Sequence, residues 1–392
     1  MKKILLLTDF SSGYSRNLLR GVVEYAKENG PWVFYRLPLY YREIHGDGGI
    51  SKWALQWGAD AIIAQLSDID LDALMELNIP IIVQNYADRK EMISNITGNY
   101  FGTGVMAAEF FIHRGYKKFA YYGFDDTIWM RERGDGYRSE VKKHGLDLYF
   151  FNDSQQIVGE SGKWEFDAER VKDWLLDLPK PIALFACDDF FALQLTEICK
   201  MHEINIPEDV AILGVDNDEL LCNISDPTLT SVELDVASGG YEVGALLDKY
   251  FKGEIKAPIS TDIVIKPIRI VLRQSTEKFQ VSDKYVEQAL KLIEQEYYKE
   301  LTIEQILQRI PVSRRVFERK FKNETFMTIY QYIQELRVER FAKLLQTTDI
   351  PLVEAAFMSG FSDYKNVSRI FSKKKLITPS QYRDKFGKIR KK

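Results

Sequence analysis

Cysteine is scarce: Cys187, Cys199 and Cys222 are the three in 392 residues. They form no CxxC pair, and an odd count argues against a disulfide framework. The four histidines, His45, His113, His144 and His202, are scattered without metal-ligand spacing. No apolar run approaches the ~18–20 residues that a membrane span needs. The short run at residues 4–7 gives way at once to Thr8, Asp9 and Phe10, too soon for a signal-peptide core. The expectation is a cytoplasmic protein with no membrane partner. Nucleophile-elbow, P-loop and HExxH motifs are also missing. One catalytic reading survives, in which Asp188 and Asp216 act as the acid and base of a glycosidase. No second signature supports it, so neither an enzyme nor a cofactor or metal is expected.

What is present is a division of charge. The chain carries −4 overall, yet residues 281–392 hold 23 Lys and Arg against 14 Asp and Glu, a charge of +9. An acidic body with a basic tail implies two jobs, the basic part being the candidate for a polyanion. The length implies two or three domains.

The body alternates strand-like and helix-like patterns. Strand-like runs fall at 3–8, 32–37, 61–66, 81–85, 119–123, 148–152, 182–186 and 211–215, and 261–272 reads as one more. Helical spacing marks 15–28, 102–113, 167–176 and 190–202. This rhythm predicts parallel sheets in two doubly wound lobes. The polar stretch 274–283 marks a boundary. The expected layout is a two-lobed α/β domain over 1–274, a linker over 275–283 and a separate basic domain over 284–392.

Open α/β sheets bind ligands beyond the C-terminal ends of their strands. There the first strand presents Asp9, Ser12, Tyr14 and Arg16. The strand ending at 123 presents Asp125, Asp126 and Trp129, with Arg131 and Arg133 nearby. Asp188 and Asp189 follow the next, and Asp216, Asn217 and Asp218 follow the last. Carboxylates accept pairs of hydroxyl hydrogen bonds, arginines donate to hydroxyl oxygens, and aromatic faces pack on C–H surfaces. The set describes a neutral polyol. Any one Asp could instead merely cap the helix that follows it.

Beyond 283 strand signals vanish. Helical periods fall at 283–297, 303–310, 314–322, 329–345, 352–359 and 363–374, and Thr302 with Gln305 makes a capping box. Two helix-turn-helix units are legible. The first turns at Pro311-Val312, with Ser313 capping the next helix; the second turns at Gly360-Phe361, with Ser362 as cap. Ala355, Ala356 and Gly360 are small enough for crossing helices. The capped helices carry Arg314, Arg315, Arg319 and Lys320, then Lys365, Arg369 and Lys373. Exposed arginine on such a helix suits guanine in the major groove. Lys373, Lys374, Lys375, Lys388, Lys391 and Lys392 suit phosphates.

The tail is similar to the AraC family of regulators. The stretches that carry this are Arg340-Phe-Ala-Lys-Leu-Leu-Gln, Val353-Glu-Ala-Ala, Gly360-Phe-Ser-Asp, Ser368-Arg-Ile-Phe-Ser-Lys-Lys and Thr378-Pro-Ser-Gln-Tyr-Arg383. The resemblance implies two recognition helices joined by a long helix and set in successive major grooves. It places base-facing positions at Arg315, Glu318, Arg319, Tyr364, Lys365, Ser368 and Arg369. Phe326 and Leu376 depart from the usual Gly, and Val367 from a usual Phe. The body resembles the effector domain of LacI/GalR regulators, a relative of periplasmic sugar-binding proteins. That likeness rests on Asn99-Tyr-Phe-Gly-Thr-Gly, Arg133-Gly-Asp-Gly-Tyr137, Asp188-Asp-Phe-Phe-Ala192 and Ile206-Pro-Glu-Asp-Val-Ala-Ile-Leu-Gly-Val-Asp-Asn-Asp218. It implies a two-lobed, type I periplasmic-binding-protein-like fold with Arg133, Asp188 and Asp216 on the ligand and Asn217 beside them. Gly98 stands where Asp is common, and Asp188 where Asn is.

The order of the two parts resembles AraC-type activators of pentose catabolism. That implies a sugar-responsive, sequence-specific DNA-binding regulator with xylose or a related aldose as effector. It further implies operator DNA and RNA polymerase as partners, and a homodimer. Another sugar, or repression instead of activation, stays open.

Overall fold

The computed structural model describes residues 1–8, 10–36, 49–66, 74–125, 127–151, 167–256, 260–299, 301–375 and 377–387. These divide into two compact units, one of residues 1–108 and 118–277 and one of residues 109–117 and 278–392.

The first unit holds two six-stranded sheets among its described residues. One contains β1 (Lys2–Leu7), β2 (Trp32–Arg36), β3 (Ala61–Leu66), β4 (Ile81–Asn85), β5 (Ser94–Gly98) and β11 (Ile263–Ile265). Its order is β11-β5-β4-β3-β1-β2, all parallel. The other contains β6 (Lys118–Tyr122), β7 (Asp147–Phe150), β8 (Ile182–Ala186), β9 (Val210–Val215), β10 (Thr230–Leu234) and β12 (Pro267–Val271). Its order is β12-β10-β9-β8-β6-β7, parallel except that β12 runs against β10. Runs such as Ile4 to Leu7, Ala61 to Ala64 and Ile182 to Ala186 are buried throughout, as strands covered by helices on both faces must be.

Helices of this unit include α1 (Gly13–Asn29), α2 (Tyr100–His113), α3 (Ile128–Lys143), α4 (Ala168–Asp177), α5 (Asp189–Met201), α6 (Glu219–Ile224) and α7 (Val236–Phe251), the end of α2 passing to the second unit. Two helix pairs cross backbone to backbone. A Cβ on Gly21 of α1 would lie 1.9 Å from the Ala237 carbonyl of α7. One on Gly104 of α2 would lie 2.0 Å from the Arg133 carbonyl of α3, and one on Gly136 2.0 Å from that of Phe101. Only glycine permits such approach.

The expected single strand over 261–272 is two. β11 ends at Ile265 in the first sheet and β12 begins at Pro267 in the second. Between them the chain crosses from lobe to lobe, as it also does between β5 and α2 and between β10 and α7. These crossings are stitched together: the Asn99 amide donates to the Ile265 carbonyl at 2.8 Å, and that of Asp235 to the Lys266 carbonyl at 2.9 Å. They are the connections that a hinge between the lobes would use.

The second unit is helical: α8 (Lys284–Glu296), α9 (Ile303–Gln308), α10 (Arg314–Thr325), α11 (Ile329–Thr347), α12 (Leu352–Met358), α13 (Tyr364–Lys375) and α14 (Pro379–Phe386). The capping box of Thr302 and Gln305 forms, and Thr328 with Gln331 and Thr378 with Gln381 form two more. Ser313 sits at the N-cap of α10 without a side-chain bond. Ser362 does not cap α13: both Asp363 oxygens do, accepting from the Lys365 and Asn366 amides at 3.1 Å, because the helix starts one residue later than expected. The 275–283 segment has three buried residues. Ser275 and Thr276 are wholly buried in the first unit, and Phe279 joins Val286, Leu290, Ile293, Phe317 and Phe321 in the core of the second.

Candidate ligand cleft and DNA-binding helices

Arg133 is the centre of the candidate site. It lies on α3 with 2% exposure, and one guanidinium arm donates to the Cys187 carbonyl. Another arm is 3.6 Å from Asp216, and its carbon lies 5.6 Å from the Tyr100 ring centroid. Burial opposes its charge, but Asp216 and Tyr100 outweigh burial and raise its pKa. Asp216 adopts a φ of +101°, a region side chains avoid, which aims it at the arginine. Its own pKa is raised by burial, with Arg133 opposing. Asp188 caps α5 through the Phe191 amide at 2.9 Å. Burial, then the neighbouring Asp216 charge, pushes its carboxyl up to about 6. Tyr14 completes the group; burial, then Tyr100 and Asp216, push its hydroxyl well above the ordinary range.

Three buried polar atoms here have no hydrogen-bond partner among the described residues: Tyr14 Oη, Arg133 Nε and Asp216 Oδ1. A donor-acceptor, a donor and an acceptor left without a hydrogen bond cost ~1–3 kcal/mol each. A bound hydroxyl-bearing molecule can satisfy all three.

Other candidates serve the frame. Asp189 is 1% exposed and fully engaged. It accepts from Ser231 Oγ at 2.6 Å and from the Asp218 amide at 2.8 Å. Asn217 accepts from Arg273 at 2.8 Å. Arg16 donates to the Phe10 carbonyl and pairs with Asp218 at 3.4 Å. Asp218 in turn accepts from the Gly13 amide at 3.0 Å and caps α6. Arg131 pairs with Asp88 at 2.5 Å and donates to the Asp125 carbonyl at 2.8 Å. Trp129 reaches the site through Tyr86, its ring edge-on at 5.0 Å. Asp9 and Asp126 lie outside the described residues. Sequence reasoning missed Tyr86 and Tyr100, which stand just past β4 and β5. The strand-end rule pointed there, but neither carries a charge to draw notice.

In the helical unit α10 and α13 repeat one pattern at an offset of fifty. Phe317 and Phe321 are buried in one, and Val367 and Phe371 in the other. The Val367 departure therefore fills a core position. Phe371 meets Phe341 of α11 at 5.3 Å and Tyr382 of α14 at 5.1 Å, both edge-on. Opposite this core, Arg315 and Arg319 of α10 and Lys365 and Arg369 of α13 are exposed at matching positions. Glu318, Tyr364 and Ser368 flank them, half-buried. Arg314 is tied down, to Glu304 at 2.8 Å and to Glu318 at 2.9 Å. Lys374 and Lys375 pair with Glu335 and Glu339 of α11, which occupies two of the lysines expected on phosphate. Lys388, Lys391, Lys392 and Leu376 lie outside the described residues. The long α11 joins the halves: Arg337 donates to the Tyr297 carbonyl at 2.6 Å and Arg340 to that of Met358 at 2.9 Å.

Known protein families match both units. Residues 108–276 match the periplasmic binding protein-like domain and residues 306–385 a helix-turn-helix domain. With the folds above, these join a periplasmic-binding-protein-like domain to a helix-turn-helix domain in one chain, the make-up of a transcription regulator. Over nearly its whole length the chain is similar to the xylose operon regulatory protein of Haemophilus influenzae. The two are 28% identical over 391 residues, 97% of this chain and 98% of that protein. The protein of the same name from Escherichia coli K12 is 28% identical over 399 residues, 97% of each chain. A solved xylose-binding transcription activator shares the fold at a TM-score of 0.57 and 24% identity, covering 98% of both chains. A LacI family regulator from Enterococcus faecium, solved with bound ribose, matches at a TM-score of 0.56 and 20% identity. It covers 71% of this chain and is itself covered entirely. Among the described residues no helix is long and apolar enough to cross a membrane.

Proposed function

We propose that this chain is a xylose-dependent activator of a catabolic operon. The observation that carries the effector class is the buried trio of Tyr14 Oη, Arg133 Nε and Asp216 Oδ1, none of them hydrogen-bonded, beside the rings of Tyr86 and Tyr100. Such a set pairs with adjacent hydroxyls of a neutral sugar. The name of the full-length relatives supports a pentose. Arg133, Asp216, Asp188 and Tyr14 hold the sugar, Tyr100 and Tyr86 line it, and Trp129 backs Tyr86. The sugar closes the two lobes about the hinge. Arg315, Arg319, Lys365 and Arg369 read base edges, with Glu318, Tyr364 and Ser368 beside them. The working form is a homodimer in the cytoplasm that recruits RNA polymerase, and no catalysis is involved.

Calorimetric titration of the purified chain with a panel of aldoses tests this reading. A micromolar response to xylose, with hexoses silent, is expected. Silence across the whole panel would overturn it.

A further inference from the structure

The DNA-binding unit contains a segment that its own sequence pattern does not foretell. Residues 109–117, the last turn of α2 and the loop after it, cluster with residues 278–392. Their packing is specific. Arg114 is 4% exposed, its guanidinium 4.9 Å from the Phe110 ring and 4.6 Å from the Phe279 ring. It donates to Glu294 of α8 at 2.9 Å, and its carbonyl accepts from the Gln280 amide at 2.9 Å. Gly115 has a φ of +87°, and a Cβ there would meet Val281 at 2.6 Å. The Lys117 ammonium lies 4.4 Å from the centroid of the Phe326 ring, and it donates to the Glu324 carbonyl at 3.4 Å.

Phe326 is the residue that departs from the family's usual Gly. It closes the first recognition helix in the left-handed conformation, with a φ of +58°. A bulky side chain is strained there and persists only where its surroundings hold it. The held partner is Lys117. Burial, then Lys375, lowers the pKa of Lys374 on the second recognition helix, and Glu109, at the other end of the segment, opposes them.

At its N-terminal end α2 begins with Tyr100, over which Arg133 sits. The Gly104 and Gly136 crossing binds α2 to α3, the helix that carries Arg133. One unbroken helix of 14 residues thus leads from the sugar-binding group to the segment beside Phe326. At 1.5 Å per residue it spans ~21 Å.

We infer that residues 109–117 are the lever by which cleft occupancy reaches the first recognition helix, with Lys117 on Phe326 as the point of grip. Lys117 and Phe326 are positioning residues, and neither touches sugar or DNA bases. The inference rests on the proposed sugar response.

The test compares the full-length chain with its Phe326→Gly and Lys117→Ala variants. The probe is a duplex selected by the full-length protein from a random pool. Its affinity is measured with and without saturating xylose. In the unaltered chain the ratio should fall in the range of ~5–150-fold typical of linked sites. In both variants it should drop to within about twofold of one, with xylose affinity in the absence of DNA unchanged. Phe326→Gly relieves the backbone strain, so lost folding is not expected; if it does unfold, Lys117→Ala decides. An undiminished ratio in the variants, with the unaltered chain responding to xylose, would overturn the lever alone. A ratio of one in the unaltered chain would instead overturn the proposed sugar response.

Discussion

The cleft and the recognition helices use charge in opposite ways. The cleft buries it: Arg133, Asp216 and Asp188 sit in a low-dielectric site, where Arg133 and Asp216 alter each other's titration and both alter that of Asp188. The recognition helices expose it: Arg315, Arg319, Lys365 and Arg369 have no side-chain partner among the described residues. A buried group is committed to a few fixed neighbours and loses much when one is removed. An exposed one waits for a partner that arrives with its own charge. The difference teaches where each half of the protein is vulnerable.

The largest effect should follow from breaking the buried side. Arg133→Ala should weaken xylose binding by at least ~100-fold, because it strips the sugar of its donor and leaves Asp216 without a counter-charge. Affinity for duplex without sugar should stay near that of the unaltered chain; calorimetry and anisotropy report the two. On the exposed side, Arg369→Ala should lower specific duplex affinity by ~5–150-fold, the ~1–3 kcal/mol of one bidentate base contact. Xylose affinity should not move, and equal duplex affinity would remove Arg369 from readout.

A smaller effect separates the halves by pH. Asp188 has its carboxyl raised to about 6 in the fold, above the usual carboxylate range. A raised carboxylate pKa means that the folded state holds the proton more tightly than the unfolded chain does. Its contribution to stability therefore falls as pH rises from the ordinary carboxylate value to about 6, and is level above that. For ligand the sign is reversed, since the ionised form accepts more hydroxyl bonds. Xylose affinity should drop by up to about tenfold between pH 7 and pH 5. Asp188→Asn should flatten this profile; an unchanged slope in that variant would assign the titration elsewhere. The smallest effect sharpens the contrast within one helix. Arg314 is already held by Glu304 and Glu318. Arg314→Ala should cost duplex binding less than about threefold, against the much larger loss at Arg369. A loss as large as that of Arg369 would mean that the ion pairs break on DNA.

Most of the architecture was legible because it is written in periods. The βαβ rhythm and the helices beyond 283 follow from apolar spacing, and their bounds moved by only a few residues. What failed had physical causes. β5 reads Ser-Asn-Ile-Thr-Gly, a polar string, yet all five residues are buried. α3 went unread because Gly134 and Gly136 look like breakers, whereas the helix needs Gly136 to approach α2. The break between β11 and β12 falls at Lys266 and Pro267, where the chain changes lobes without a turn signal. In the site, strand-end acids were found but not sorted. Asp188 and Asp189 are adjacent, yet the helix start sends one toward Arg133 and buries the other against Ser231. No pattern in one sequence distinguishes those two directions. On the DNA side the exposed arginines were readable, while the ion pairs that restrain Arg314, Lys374 and Lys375 depend on α11 and on Glu304, elements distant along the chain.

The central claim is that one protein couples a sugar in its cleft to DNA on its recognition helices. The most direct test is to measure xylose affinity calorimetrically with and without saturating selected duplex. Linkage requires that duplex tighten xylose binding by the same factor by which xylose tightens duplex binding, expected at ~5–150-fold. Equal xylose affinity in the two titrations would contradict the account.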